Sequence, residues 1–277
     1  MDRETLSLRP TPHPDRSSSL TSLGLGLWDR FQRTGSMADL EEAILMQRES
    51  LSLCPTSHYS LSNLGNALVE HSLATGSMTH LEEAILMHRK SLSLCPAPRP
   101  DHSLTLNNLA SSLFRRFEHT GLKTDLQEVI LLYRESLFLR PTSHPSHSNS
   151  LYNLANALKR HFRTTGSMTD LEEAILLYRE SLSFRPIPHP DRSDSLNGLA
   201  CALWNLFGKT GSISDLEEAI STLREVLSLG PAVTHRRRLM ALNNLANFLE
   251  TRFKENGSQG DFEEVTSLRR EILAMSK

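Results

Sequence analysis

The chain has 277 residues, 38% apolar and 22% charged, with a formal net charge of −2. That balance supports a folded domain and lacks the basic face that a general binder of nucleic acid or acidic surfaces carries. No run of about 18 apolar residues is present to span a membrane, and the amino terminus MDRETLSLRP has no apolar segment of a secretory signal.

In chain order, Arg3, Leu6, Leu8 and Pro10 align with Arg179, Leu182, Phe184 and Pro186, so the chain is expected to begin inside a repeating unit. A glycine followed four residues later by Asp and a segment of the LEEAI type then recurs at Gly35, Gly76, Gly121, Gly166, Gly211 and Gly257, with His80 replacing Asp in the second copy. The intervals are 41, 45, 45, 45 and 46 residues. Self-similarity at such a period is the mark of a solenoid, in which each unit packs only on its neighbours. The expected organisation is one domain over 1–277, with a partial repeat at 1–10 and helix pairs at 15–55, 56–96, 101–141, 146–186, 191–231 and 235–277. Neither end carries an atypical capping repeat, so a fragment of a longer array is expected, with end-to-end self-association through the uncapped ends.

Each copy reads as two helices. In the fourth, helix A places Leu151, Leu154, Ala155, Leu158 and Phe162 at offsets 0, 3, 4, 7 and 11, one apolar stripe at about 100° per residue. Offset 4 is small in every copy: Gly24, Gly65, Ala110, Ala155, Ala200 and Ala246. Helix B follows, with Asp170 expected at the N-cap, Glu173 closing a capping box, and Pro186 as the stop. The second copy lacks four residues between Pro55 and Leu61 and has Ser72 where the others have Phe, so it is expected to be the weakest joint.

This spacing resembles the tetratricopeptide repeat, whose pattern is met by Leu151, Leu154, Ala155, Leu158, Ala174, Tyr178 and Pro186. The extra length over the family period of about 34 falls between Leu158 and Ala174 and between Pro186 and Leu196. The connector His189–Arg192, HPDR, followed by SLNGLA, resembles the kinesin light chain variant, and the LNNLA…RF…TG…DLEEAI grammar resembles fungal arrays that precede CHAT peptidase domains or belong to receptor-like proteins. The resemblance implies a right-handed all-α solenoid and a protein-interaction scaffold that holds a peptide in a concave groove lined by helix A. It also implies an alternative, a regulatory array of a larger effector. RNA binding, in which helical repeats read bases, is opposed by the net charge and by the lack of a continuous Lys/Arg stripe.

The twelve histidines sit in repeat-equivalent loops or singly on helices without metal-ligand spacing, and the glycines are lone turn residues, so no catalytic residue, metal or cofactor is expected. Three cysteines, Cys54, Cys95 and Cys201, without a CxxC pair point to reduced thiols and a cytoplasmic protein. An arginine recurs in helix B (Arg48, Arg89, Arg134, Arg179, Arg224, Arg270) and is expected to pair with a Glu of its own or the adjacent repeat. Asparagine recurs on helix A opposite the stripe: Asn63, Asn108, Asn153 and Asn244 at offset 2, and Asn66, Asn156 and Asn247 at offset 5, where the third copy has Ser111. Asn is a poor helix former, and its amide both donates and accepts, so these residues are expected to hold a partner's backbone. Arg115, Lys159 and Arg160 beside them would favour an acidic peptide. In the rival reading each Asn bonds a neighbouring helix and sets repeat packing, and Arg236, Arg237 and Arg238 are left open between an anion site and a solvated helix start.

Overall fold

The computed structural model describes residues 8–10, 13–96, 100–230 and 233–275. Arg3, Leu6 and Arg99 fall outside them. The described residues form twelve helices and no strand. These are α1 Arg16–Thr34, α2 Met37–Leu53, α3 His58–Thr75, α4 Met78–Leu94, α5 Pro100–Thr120, α6 Lys123–Phe138, α7 His147–Thr165, α8 Met168–Ser183, α9 Arg192–Thr210, α10 Ile213–Ser228, α11 His235–Asn256 and α12 Gln259–Met275. Odd helices are the A helices and even helices their B partners. The chain divides into two compact units, Met1–Arg140 with α1 to α6 and Pro141–Lys277 with α7 to α12. Within each unit every A helix packs on its own B helix, and each B helix packs on the next A helix. The architecture is that of an α-solenoid built of helix pairs.

The corner between A and B is the same in each repeat. Helix A ends on a glycine in the left-handed region, for example Gly35 at φ 69°, whose N–H bonds the Phe31 carbonyl at 2.7 Å. That backbone conformation is strained for any residue with a Cβ. Thr34 Oγ1 donates to the Arg30 carbonyl and accepts from Ser36 N–H, tying the turn down on both sides. The N-cap of helix B is then the residue after the glycine, not the aspartate the sequence suggested: a serine in the first, second, fourth and fifth repeats and Leu122, whose side chain caps nothing, in the third. Ser36, Ser77 and Ser167 accept from the backbone N–H of Asp39, His80 and Asp170. The sequence Ser-x-x-Asp-x-x-Glu holds two overlapping capping registers, and the chain uses the earlier one because the glycine turn delivers Ser there in extended geometry.

The displaced aspartate closes A on B. Arg30 binds Asp39 through two bonds of 2.5 Å, Arg116 binds Asp125 through two of 2.7 Å, and Arg252 binds Asp261 at 2.8 and 2.6 Å. His161 takes the arginine's place against Asp170. The Arg252 guanidinium holds the Asp261 carboxyl below the usual carboxylate range. In the second repeat both partners are histidine, His71 and His80, with rings 4.3 Å apart, and burial followed by the neighbouring imidazole lowers the His71 pKa.

At the far end of the first four pairs a buried helix B serine bonds a carbonyl in the first turn of helix A; the fifth and sixth pairs have Val226 and Ile272 there. Ser50, Ser91, Ser136 and Ser181 donate to Ser17, His58, Ser103 and Ser148 at 2.8–3.1 Å. Close by, Arg16, Arg192 and Arg238 pair with Glu49, Glu225 and Glu271. The helix B arginines bridge to the adjacent repeat: Arg48 to Glu83, Arg89 to Glu128, Arg179 to Glu218 and Arg224 to Glu264. The second repeat's short connector is a four-residue turn between Leu53 and His58, and Ser72 is buried where Phe117 and Phe162 stand elsewhere.

Removing a corner clasp leaves a carboxylate at a site built for a pair. Arg116→Ala is expected to destabilise unit 1 by about 2 kcal/mol through the stranded Asp125, whose side chain is 5% exposed. The double change His71→Arg with His80→Asp installs the clasp in the second repeat, which lacks it, and is expected to stabilise by about 1 kcal/mol. Denaturant melts of the two proteins beside wild type check both signs.

Candidate functional site

The helix A face opposite the apolar stripe carries the residues singled out in the sequence. At offset 5 the structure divides them by what helix B offers 22 residues later. Tyr178 donates its hydroxyl to Asn156 Oδ1 at 2.7 Å, Ser111 shares a 2.9 Å bond with the Tyr133 hydroxyl, and Arg269 donates to Asn247 Oδ1 at 2.8 Å. Tyr133 and Tyr178 are buried, which raises their pKa values. These offset-5 residues therefore also serve packing between A and B. For Asn66 the equivalent helix B position is His88, and among the described residues Asn66 makes no side-chain hydrogen bond.

At offset 2, Asn63 and Asn108 are half-buried and make no side-chain hydrogen bond among the described residues. Asn244 donates to Cys201 Sγ at 3.6 Å, and Asn153 has a partner. The basic residues beside them are unequal. Lys159 lies over the Tyr178 ring with Nζ 5.2 Å from its centre and a pKa lowered by burial, Arg160 has a partner, and Arg115 is half-buried beside Tyr133. Arg237 pairs with Asp194 and Asp191, and Arg238 with Glu271, so these two are committed within the fold.

In unit 1 this face opens into a cleft of about 780 Å³. Ser18, Ser22 and Leu25 of α1 form one wall, and Tyr59 and Asn63 of α3 the other. Leu25, Tyr59 and the repeat-equivalent Leu104 are exposed at 40%, 57% and 49%. The Tyr59 hydroxyl donates to Asp101 at 2.8 Å, which fixes the ring across the face. These three apolar side chains escaped the sequence reading. Their signal was an apolar residue two before, or five after, the start of the stripe, on the polar side of the helix.

His88 stands apart. It lies beneath the helix A backbone at Gly65, where a Cβ would sit 2.5 Å from its ring, and neither ring nitrogen has a partner. Burial lowers its pKa to about 4 from the ordinary 6.5. Among the described residues no three His, Cys, Asp or Glu side chains gather to hold a metal, and no helix is long and apolar enough to cross a membrane.

A tetratricopeptide repeat family model matches residues 16–58, 148–191, 192–232 and 238–274. No curated protein matches the sequence. Among solved structures, a Podospora anserina protein of kinesin light chain type with nearly identical TPR-like repeats is 19% identical, with a TM-score of 0.55 over 79% of this chain and 97% of that one. YrrB, a TPR protein with an unusual peptide-binding site, is 12% identical, with a TM-score of 0.55 over 87% and 96%. PilW, a type IV pilus biogenesis factor, is 14% identical, with a TM-score of 0.57 over 91% and 97%. At these identities the likeness is one of fold.

The unfolded chain binds a proton at His88 near pH 6.5 and the folded chain only near pH 4, so stability falls as pH drops through that window. The loss is about 3 kcal/mol at its limit. His88→Gln, which copies Gln47 at the equivalent place, is expected to remove that part of the acid sensitivity when melts at pH 7 and pH 4.5 are compared. Asn156→Ala is expected to cost about 1–2 kcal/mol by stranding the Tyr178 hydroxyl, read in the same melts at neutral pH.

Proposed function

The chain belongs to the tetratricopeptide repeat family, and from that premise we propose that it is a non-enzymatic scaffold that holds an extended segment of a partner protein along its helix A face. The observation that carries this is the coincidence, in unit 1, of a cleft of about 780 Å³ with uncommitted amides and exposed apolar side chains. Asn63, Asn66 and Asn108 offer paired donors and acceptors to a peptide backbone. Leu25, Tyr59 and Leu104 offer apolar contact to alternate side chains of an extended segment. Peptide binding by YrrB, of similar fold, supports the mode.

The ligand chemistry this favours is neutral and partly apolar. An acidic peptide would need free cations on the face, and Lys159 and Arg160 are already engaged. Arg115 alone would supply the acidic preference. Free thiols at Cys54, Cys95 and Cys201 suit a reducing cytoplasm.

Panning the whole chain against a displayed library of random peptides supplies a ligand for the test. Asn63→Ala with Asn108→Ala should weaken the enriched peptide about two- to tenfold for each bond lost, while the melting temperature holds or rises because Ala is the better helix former. Unchanged affinity in that double variant would sink the groove reading. Asn156→Ala serves as the contrast, a loss of stability from a residue of the same type on the same face.

A further inference from the structure

Beneath the unit 1 cleft lies a recess of about 40 Å³ that shares Leu25 and Asn63 with it. It is floored by Gly24, Trp28 and Gln47, with Asn66 beside Asn63 at the mouth. Gln47 is 2% exposed. Its Nε2 donates to the Thr21 carbonyl at 3.2 Å, which orients the amide and leaves Oε1 buried without a donor. Trp28 also lines the recess, and its Nε1 is a buried donor without an acceptor. Other repeats quench this place from within, since Tyr133 has Ser111 and Tyr178 has Asn156. The first repeat has Leu25 at offset 5, which can bond nothing. Gly24 is part of the device, because a Cβ there would meet Gln47 Nε2 at 2.5 Å.

We propose that this recess is a carboxamide-reading subsite of the groove: the ligand's amide oxygen accepts from Trp28 Nε1 and its N–H donates to Gln47 Oε1. The proposal rests on the groove reading for its biological setting, but its chemistry stands on the recess alone. A buried donor and a buried acceptor with no partner each cost free energy until filled. No charged side chain lines the recess, so an ammonium or carboxylate would be buried unpaired. A carboxylate would moreover oppose Gln47 Oε1, and an ammonium could not accept from the indole. A carboxamide carries acceptor and donor side by side, as an Asn or Gln side chain or a backbone peptide group does.

The chain has two tryptophans, Trp28 and Trp204, so its indole N–H signals in a nitrogen–proton correlation spectrum provide a probe and an internal reference. The whole chain is titrated with propionamide and with its near-isosteres propionate, propylammonium and propanol. Propionamide is expected to shift the Trp28 indole signal saturably and leave Trp204 in place, and the other three are expected to bind at least about tenfold more weakly, the equivalent of one mismatched buried hydrogen bond. Gln47→Leu should abolish the propionamide shift. Leu25→Asn, which supplies an internal amide as Asn156 does in its repeat, should compete it away in a chain whose recess is otherwise intact. A shift as large with propanol or propionate overturns the proposal, as does a flat Trp28 response or one that survives both substitutions. Unchanged peptide affinity on Asn63→Ala with Asn108→Ala would sink the groove reading and leave the propionamide result on the unsubstituted chain standing, so the two readings fail separately.

Discussion

The structure depends on the corner of the helix pair, where in three repeats a guanidinium from the last turn of helix A grips a carboxylate in the first turn of helix B and in the fourth an imidazole takes its place. Both charges sit where the helix dipoles favour them, the cation near a C-terminus and the carboxylate near an N-terminus. The corner glycine and serine bring the two ends together without a loop. The burial of the carboxylate follows the quality of its partner. Asp39, Asp125 and Asp261, each held by a two-pronged guanidinium, are buried; Asp170, held by an imidazole, is half-buried. Asp215, for which Leu206 occupies the cation's place in the sequence and whose carboxylate accepts from the Thr210 hydroxyl at 3.5 Å, is half-buried as well. A charge is tolerated out of water in proportion to what pairs with it.

With the corner closed and, in the first four pairs, the far end fixed by the buried serine, the two helices of a pair have a set spacing. What varies is the layer between them, where the residue on helix B meets the fourth and fifth offsets of helix A. A glycine at offset 4 admits a side chain leaning across the helix, Gln47 in the first repeat and His88 in the second. Where offset 4 is alanine, as at Ala110 and Ala155, the partner is a tyrosine that reaches past it to the offset-5 side chain. The first two repeats thus carry buried polar atoms without partners on a scaffold whose next two repeats satisfy them.

The period, the helix pairs and their apolar stripes were legible in the sequence because they are local and repeated six times. The adjacent-repeat ion pairs of Arg48, Arg89, Arg179 and Arg224 were legible for the same reason. The N-cap was misread because Ser-x-x-Asp and Asp-x-x-Glu satisfy the same rule three residues apart. The corner clasp was hidden because Arg116 and Asp125 belong to different helices, and a separation of nine residues has meaning only once the glycine turn is placed. The asparagines looked alike for a related reason. Asn66 and Asn156 occupy one offset, but what each does is set by His88 or Tyr178 on the facing helix, and no helical period links those positions.

Divergence among the repeats falls where the fold permits it. The corner glycines and the stripe leucines are constrained by backbone conformation and packing, so they recur almost unchanged. Offset −2 of helix A touches neither the corner nor the stripe, and there every copy differs: Ser18, Tyr59, Leu104, Asn149, Asp194 and Met240 stand at that one offset. An array that only had to stack would have no physical reason to place Tyr59, Leu104 and Met240, all more than 40% exposed, on a polar face, nor to leave Gln47 Oε1 and Trp28 Nε1 unfilled beneath it. Both features cost free energy in the isolated chain, the first through apolar surface left in water and the second through unmade hydrogen bonds. On the function proposed above, both costs in unit 1 would be relieved by the same event, the seating of a segment that brings apolar side chains and amides to that face.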